Sequence, residues 1–199
     1  MAGTGRNVAA GACPGEGGPA SAASGPGAPG GAGADHRWLA EAIELSGRCP
    51  PSASAFSVGA ILVAADGSVI ATGFSRERDR RDHAEEVALG RAALPGARPG
   101  PDAAPPSGSP RTAAGGGRLA GATLYSSLEP CAARASRPRP CTELIIAAGL
   151  RRVVIAWLEP PVFVEGGGAA RLRAAGVTVI EIPELAAAAR AVNAHLLHS

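Results

Sequence analysis

Apolar positions along this chain come in short blocks, separated by two long stretches in which large apolar side chains almost vanish. In the first block Trp38, Leu39, Ala42 and Ile43 fall at helical spacing, and Asp35 stands before them as a helix cap. Two β-rich runs follow at 58–63 and 69–74, with Asp66-Gly67 between them as a hairpin signal. Residues 83–93 return to a helical pattern. Beyond the second apolar-poor stretch the periods alternate. A strand at 123–128 precedes a helix at 141–148 closed by Gly149, and a strand at 153–158 precedes a helix at 169–175 closed by Gly176. A strand at 177–182 and a final helix at about 183–197 complete the series. The order αββαβαβαβα predicts an α/β protein of three layers, α/β/α, around a mixed sheet of about five strands. Right-handed crossovers make the C-terminal strands parallel.

The two apolar-poor stretches set the domain limits. Residues 1–34 are mostly Gly, Ala, Pro and Ser, which bury too little surface to offset the entropy of ordering them; a disordered tail is expected. Residues 95–118 carry Pro-Gly, Gly-Pro, Pro-Pro and the run Gly115-Gly116-Gly117, the signals of a long disordered insertion. One folded domain, 35–199, is left. Its chain-wide charge balance is close to neutral, 19 basic residues (all Arg) against 17 acidic, so nothing marks nucleic acid as a partner. No apolar run approaches a membrane span, and no apolar segment follows Arg6 as in a secretory signal. A cytoplasmic location is the resulting expectation. In that reducing setting the four cysteines read as metal ligands or free thiols rather than as disulfides.

Three of the candidate ligands lie at element junctions. His83-Ala84-Glu85 stands where a loop enters a helix, and Pro130-Cys131 where a strand ends. Cys141, after nine intervening residues, opens the next helix. One imidazole and two thiolates make a three-ligand zinc site with a fourth position left for water, the catalytic pattern rather than the closed structural one. Helix N-termini favour the thiolate forms. Glu85, two residues from the histidine, is placed to take a proton from that water and pass it to a departing amine. His-x-Glu followed by Pro-Cys and a second Cys is the pattern of zinc deaminases. A surface histidine with two packing cysteines, or a purely structural metal, is the bland alternative.

These residues resemble the cytidine deaminase superfamily, and within it the deaminase domain of riboflavin biosynthesis enzymes. Ser127-Leu128-Glu129-Pro130-Cys131 is similar to that domain's Thr-Leu-Glu-Pro-Cys, and Arg137 and Pro140 fall on its Gly-Arg-Thr-Pro-Pro-Cys segment. Leu144 to Gly149 followed by Arg152-Val153-Val154, and later Gly166-Gly167-Gly168 with Arg171 to Val177, continue the likeness in order. The resemblance implies a cytidine-deaminase-like fold and one zinc ion per chain on His83, Cys131 and Cys141. It also implies a small pyrimidine substrate, phosphorylated on a ribosylamino group, which reacts with water and loses ammonia. It implies a homodimer or homotetramer. With the chain ending at Ser199, a separate reductase is expected to act beside it.

The front half departs from that pattern. Ala55-Phe56-Ser57-Val58-Gly59 stands where the riboflavin enzymes have Asn-Pro-x-Val-Gly and, with Ala60, resembles the Phe-x-Val-Gly-Ala of cytidine deaminases. Ser75 stands where those have an Asn. Ser57 and Ser75 are therefore candidate base contacts, Glu129 a candidate wall of the base pocket by resemblance, and Arg137 the leading candidate for phosphate among Arg134, Arg137 and Arg139. The mixed-charge run 76–82 reads as a solvated loop that borders the pocket at most. Cys49 reads as a packed thiol and Cys13 as idle in the tail. Substrate identity stays open among the riboflavin-pathway pyrimidine, cytidine or deoxycytidylate, and a compound of secondary metabolism. A zinc-stabilised binding module without catalysis is the rival from another class, though it would not need Glu85.

Overall fold

The computed structural model describes residues 1–2, 29–94, 119–160 and 167–197. The expected tail lies largely outside the described residues, as do the insertion at 95–118, Cys13 and Gly166. Helix α1 spans Ala32–Ser46, β1 Gly59–Val63, β2 Val69–Phe74 and α2 Ala84–Ala93. Then come β3 Thr123–Ser126, α3 Cys141–Ala147, β4 Arg152–Ile155, α4 Gly168–Ala174 and β5 Thr178–Glu181. A 3-10 turn at Pro183–Leu185 leads into α5 Ala186–Val192 and α6 Ala194–Leu197. The five strands form one mixed sheet in the order β2-β1-β3-β4-β5. Strand β1 is antiparallel to both β2 and β3, while β3, β4 and β5 run parallel, as the crossover argument requires.

All of β1 and β3 is buried, which explains their unbroken runs: a sheet covered on both faces loses its alternation. Helix α1 lies on β1 and β3 and against α5, whereas α2 lies on β2 and β1 and against α3, which packs on α4. Trp38, Leu39, Ala42 and Ile43 are the buried stripe of α1, as their spacing predicts. Asp35 is not the cap. The cap position is Gly31, and Asp35 is buried in the first turn. Its carboxylate accepts from Tyr125 Oη at 2.7 Å and from Arg152 at 3.0 and 2.6 Å, tying α1 to β3 and β4. The small residues Ala32, Gly33 and Ala34 hid the true helix start.

The last helix is also broken where the pattern shows none. Asn193 accepts from the Ser57 backbone N–H at 2.7 Å and donates to Ser57 O at 3.0 Å and Ala189 O at 3.2 Å, so it interrupts the helix to hold the segment before β1. Helix α2 sits unusually close to the sheet. A Cβ placed on Gly73 of β2 would lie 2.5 Å from Ala84 O, 2.8 Å from Ala88 N and 2.9 Å from Val87 Cβ. Only glycine admits the helix at this depth, and the depth fixes where α2 begins.

Candidate active site

The parallel strands β3 and β4 end at the same edge of the sheet, the edge where open α/β sheets bind ligands. His83, extended at φ −98°, caps α2, and Glu85 lies in its first turn. The chain leaving β3 carries Cys131, and Cys141 is the first residue of α3. These three segments converge. His83 Nδ1 lies 3.6 Å from Cys131 Sγ and 3.6 Å from Cys141 Sγ, and the three ligating atoms all fall within 4.8 Å of one another. Ligands bound tetrahedrally at Zn–S and Zn–N lengths of about 2.3 and 2.0 Å would sit about 3.6 Å apart, so the set fits a zinc ion as it stands. Both cysteines are buried and His83 half-buried.

The electrostatics suit a cation. Cys131 is held as a thiolate, its pKa lowered to about 4, by the hydrogen bond from the Cys141 thiol and by His83, with the Cys141 backbone N–H donating at 3.4 Å. Cys141 is shifted up by that same bond, then by burial and the Glu85 charge. Burial alone would lower His83, but the hydrogen bond and charge of Cys131 raise it overall. Burial also raises Glu85, which is 3 % exposed. Ser126 Oγ donates to Glu85 Oε1 at 2.8 Å and Cys141 Sγ to Oε2 at 3.4 Å, which aims the carboxyl at the ligand set.

A cavity of about 250 Å³ opens on this cluster, with His83, Glu85 and Cys131 in its wall and Phe56 and Leu128 as apolar surfaces. That volume suits a single substituted ring, somewhat below the usual range for larger ligands. Glu129 also lines it, but its carboxylate is engaged behind the wall, accepting from Ala169 N at 2.6 Å and Glu159 N at 2.8 Å. Gly168 makes this possible, since a Cβ there would overlap the Pro130 carbonyl oxygen. Ser75 lines the cavity and accepts from Val58 N at 3.2 Å. Ser57 lies behind it and accepts from Arg76 Nη2 at 2.8 Å. Arg137 is turned from the cavity to Asp82 at 2.8 Å and Glu86 at 3.2 Å, and Arg134, paired with Glu86 at 3.1 Å, lines the wall instead.

Two residues of the wall stand apart from the sequence reading: Arg76, read as part of a solvated loop, is buried, and Glu159 was passed over. Arg76 adopts φ +61° and is 9 % exposed, its guanidinium donating to Pro50 O at 2.9 Å, Phe56 O at 2.8 Å and Ser57 Oγ. It braces the segment that supplies Phe56, and no local signal announces it. Glu159 leaves β4 as Glu129 leaves β3. The repeated Leu-Glu-Pro at 128–130 and 158–160 is the signal that pairs them.

Fold and site together define a zinc-binding deaminase domain, and the comparison with known families agrees. The chain belongs to the cytidine and deoxycytidylate deaminase zinc-binding region family, whose model matches residues 33–157. Among curated proteins it is 37 % identical over 144 residues to the diaminohydroxyphosphoribosylamino-pyrimidine deaminase of Schizosaccharomyces pombe, covering 72 % of this chain and 31 % of that protein. Among solved structures it resembles RibD of Acinetobacter baumannii (30 % identity, TM-score 0.61, 82 % of this chain and 39 % of that one). It also resembles the Rib2 deaminase of Aspergillus oryzae (27 % identity, TM-score 0.57, 81 % of this chain and 98 % of that one). The chain spans a third or less of the curated relatives it matches first. Zinc is the metal of the family, and His83, Cys131 and Cys141 are the residues here that fit it.

Proposed function

We propose that this protein hydrolyses the amino group from the ring of a phosphoribosylamino-pyrimidine, the deaminase step of riboflavin synthesis. The observation that carries the reading is the meeting of His83 Nδ1, Cys131 Sγ and Cys141 Sγ beside the buried Glu85 carboxyl, in a cavity sized for one ring. When bound by these three ligands, zinc supplies the Lewis acidity that makes water a nucleophile near neutral pH. Glu85 accepts the proton released as the water oxygen attacks the amino-bearing carbon, and returns it to the nitrogen as the C–N bond breaks. Ring C–NH2 and water thus become ring C=O and ammonia. Ser126 holds Oε1 so that Oε2 faces the reacting atoms. Phe56 and Leu128 present apolar faces to the ring and keep bulk water out.

Two findings support a phosphorylated substrate of this pathway. The relatives carry that compound in their names. Arg80 and Arg81 border the cavity, and the Arg80 guanidinium bonds to no group among the described residues, leaving its donors for a phosphate. The mixed-charge loop at 76–82 therefore belongs to the proposed binding surface. The test is ammonia release by zinc-loaded protein offered diaminohydroxyphosphoribosylamino-pyrimidine, cytidine and deoxycytidylate in parallel. Turnover of the first with little of the others is expected, and turnover confined to the cytosine compounds would move the protein to the nucleotide branch of its family.

A further inference from the structure

We propose that Glu159 is a specificity-determining residue of this site: its carboxyl receives ring-borne N–H donors that remain on the pyrimidine besides the amino group removed. The inference rests on the substrate reading above and extends it to a contact that cytosine lacks.

Strands β3 and β4 are paired in register, Ser126 opposite Ile155, and each leaves the sheet at the same edge into Leu-Glu-Pro. The two glutamates then part. Glu129 turns its carboxylate back to the backbone N–H groups of Ala169 and Glu159, so it builds the wall. The bond to the Glu159 N–H, 2.8 Å long, fixes where the Glu159 side chain starts, and that side chain lines the cavity with His83, Glu85 and Cys131. Its carboxyl oxygens have no hydrogen-bond or ion-pair partner among the described residues. None of the cavity's arginines bonds it: Arg76 is committed to Pro50, Ala55, Phe56 and Ser57, Arg81 to Asp79, and Arg134 to Glu86 and Arg139 O, while Arg80 makes no bond to it or to any other described residue. Burial, then the charges of Cys131, Glu85 and Glu129, push its pKa up to about 8. A half-buried carboxyl beside anionic neighbours, with nothing from the protein to bond it, costs stability. A ligand that brings N–H groups recovers that cost on binding.

The chemistry of the candidate substrates separates them at this point. A cytosine ring has one amino group, the one that leaves, and offers a second carboxyl no N–H. A diaminohydroxyphosphoribosylamino-pyrimidine keeps an amino group and a substituted-amino N–H after the reacting nitrogen is given to the metal end. One carboxyl for chemistry and a second for these donors is the arrangement this cavity presents.

The experiment is steady-state kinetics of zinc-loaded wild-type, Glu159→Ala and Glu159→Gln on that pyrimidine and on an analogue with hydrogen in place of its second amino group. Loss of a hydrogen bond to a charged or buried acceptor predicts a KM about 10- to 100-fold higher in Glu159→Ala, with the loss falling on KM rather than kcat. Glu159→Gln keeps an acceptor oxygen and recovers most of it. The analogue should raise the wild-type KM by a similar factor and cost Glu159→Ala nothing further. A KM within twofold of wild type in Glu159→Ala, or full additivity between variant and analogue, would overturn the inference and leave the substrate assignment standing. Failure of wild type itself to turn over the pyrimidine would remove both. Zinc stoichiometry and melting temperature, read on each variant, separate a contact effect from loss of fold; if alanine is not tolerated, Glu159→Leu, which keeps the bulk and removes the acceptor oxygens, carries the test with the same KM criterion.

Discussion

Gly73→Ala offers a sharp test of how the site is built. The new methyl would meet Ala84 O at 2.5 Å, Ala88 N at 2.8 Å and Val87 Cβ at 2.9 Å. Two of these are backbone atoms, so no rotamer change relieves the overlap. Restoring an ordinary separation of about 3.5 Å moves the start of α2 outward by about 1 Å. Alanine gains about 0.4–1 kcal/mol by restricting the unfolded chain. Overpacking costs about 1–3 kcal/mol, so the net is destabilisation of about 1–2 kcal/mol. At this chain length that is a fall of about 2–8 °C in Tm. The larger effect is on chemistry. His83 and Glu85 ride on the displaced turn, and a misplacement of about 1 Å costs on the order of 100-fold in rate. Thermal melts of the zinc-loaded protein, a chelator titration and kcat/KM should therefore fall out of proportion, with catalysis and zinc retention hit harder than stability. A variant with wild-type melting, zinc affinity and turnover would refute the claim that backbone contact at Gly73 sets the position of α2.

Three further outcomes are expected. Glu85→Gln should retain one zinc per chain by atomic absorption while kcat falls by about 100- to 10,000-fold, since it keeps the shape and loses the proton acceptor; turnover near wild type would remove Glu85 from its proposed role. Cys131→Ala should lose bound metal, with melting temperature falling and no longer responding to added zinc; a persisting zinc-dependent rise would show that the ion does not need this ligand. Asp35→Asn should cost about 2–4 kcal/mol at neutral pH by leaving Arg152 without its charge partner. Burial acts to raise the Asp35 pKa, but hydrogen bonds from Arg152, Tyr125 and Gly30 hold it below the usual 3.8. A lowered folded-state value gives stability that is complete above the unfolded pKa and is lost as pH falls through the folded one. The Tm gap between wild type and Asp35→Asn should accordingly narrow below about pH 4, and a gap as wide at pH 3 as at pH 7 would contradict the ion pair.

The meeting of the candidate ligands was legible because each obeys a local rule. His83 and Glu85 occupy one helix turn, and Cys131 and Cys141 mark a strand end and a helix start, so short-range pattern already placed them. The fold followed from periodicity, although the hairpin and crossovers were read more surely than the ends of elements. What escaped depends on partners distant in sequence. Arg137 and Arg134 share a loop without periodicity, and Asp82 and Glu86 from the α2 side decide which guanidinium turns inward. Asp35 reads as a cap until Arg152, 117 residues away, claims its carboxylate. Glu129, read as pocket wall, spends its charge on the backbone beyond β4 and at α4, while its counterpart Glu159 keeps a free carboxyl.

The grip of Asn193 on Ser57 has a bearing on the order in which the fold closes. Those residues are 136 apart, and His195 reaches Ser52 O at 2.9 Å over a similar span. All five strands and the three candidate zinc ligands precede both latch residues along the chain. The segment that carries Phe56 must therefore wait for residue 193 before its hold is in place, and a polypeptide cut short ahead of that point would lack the brace on this side of the cavity.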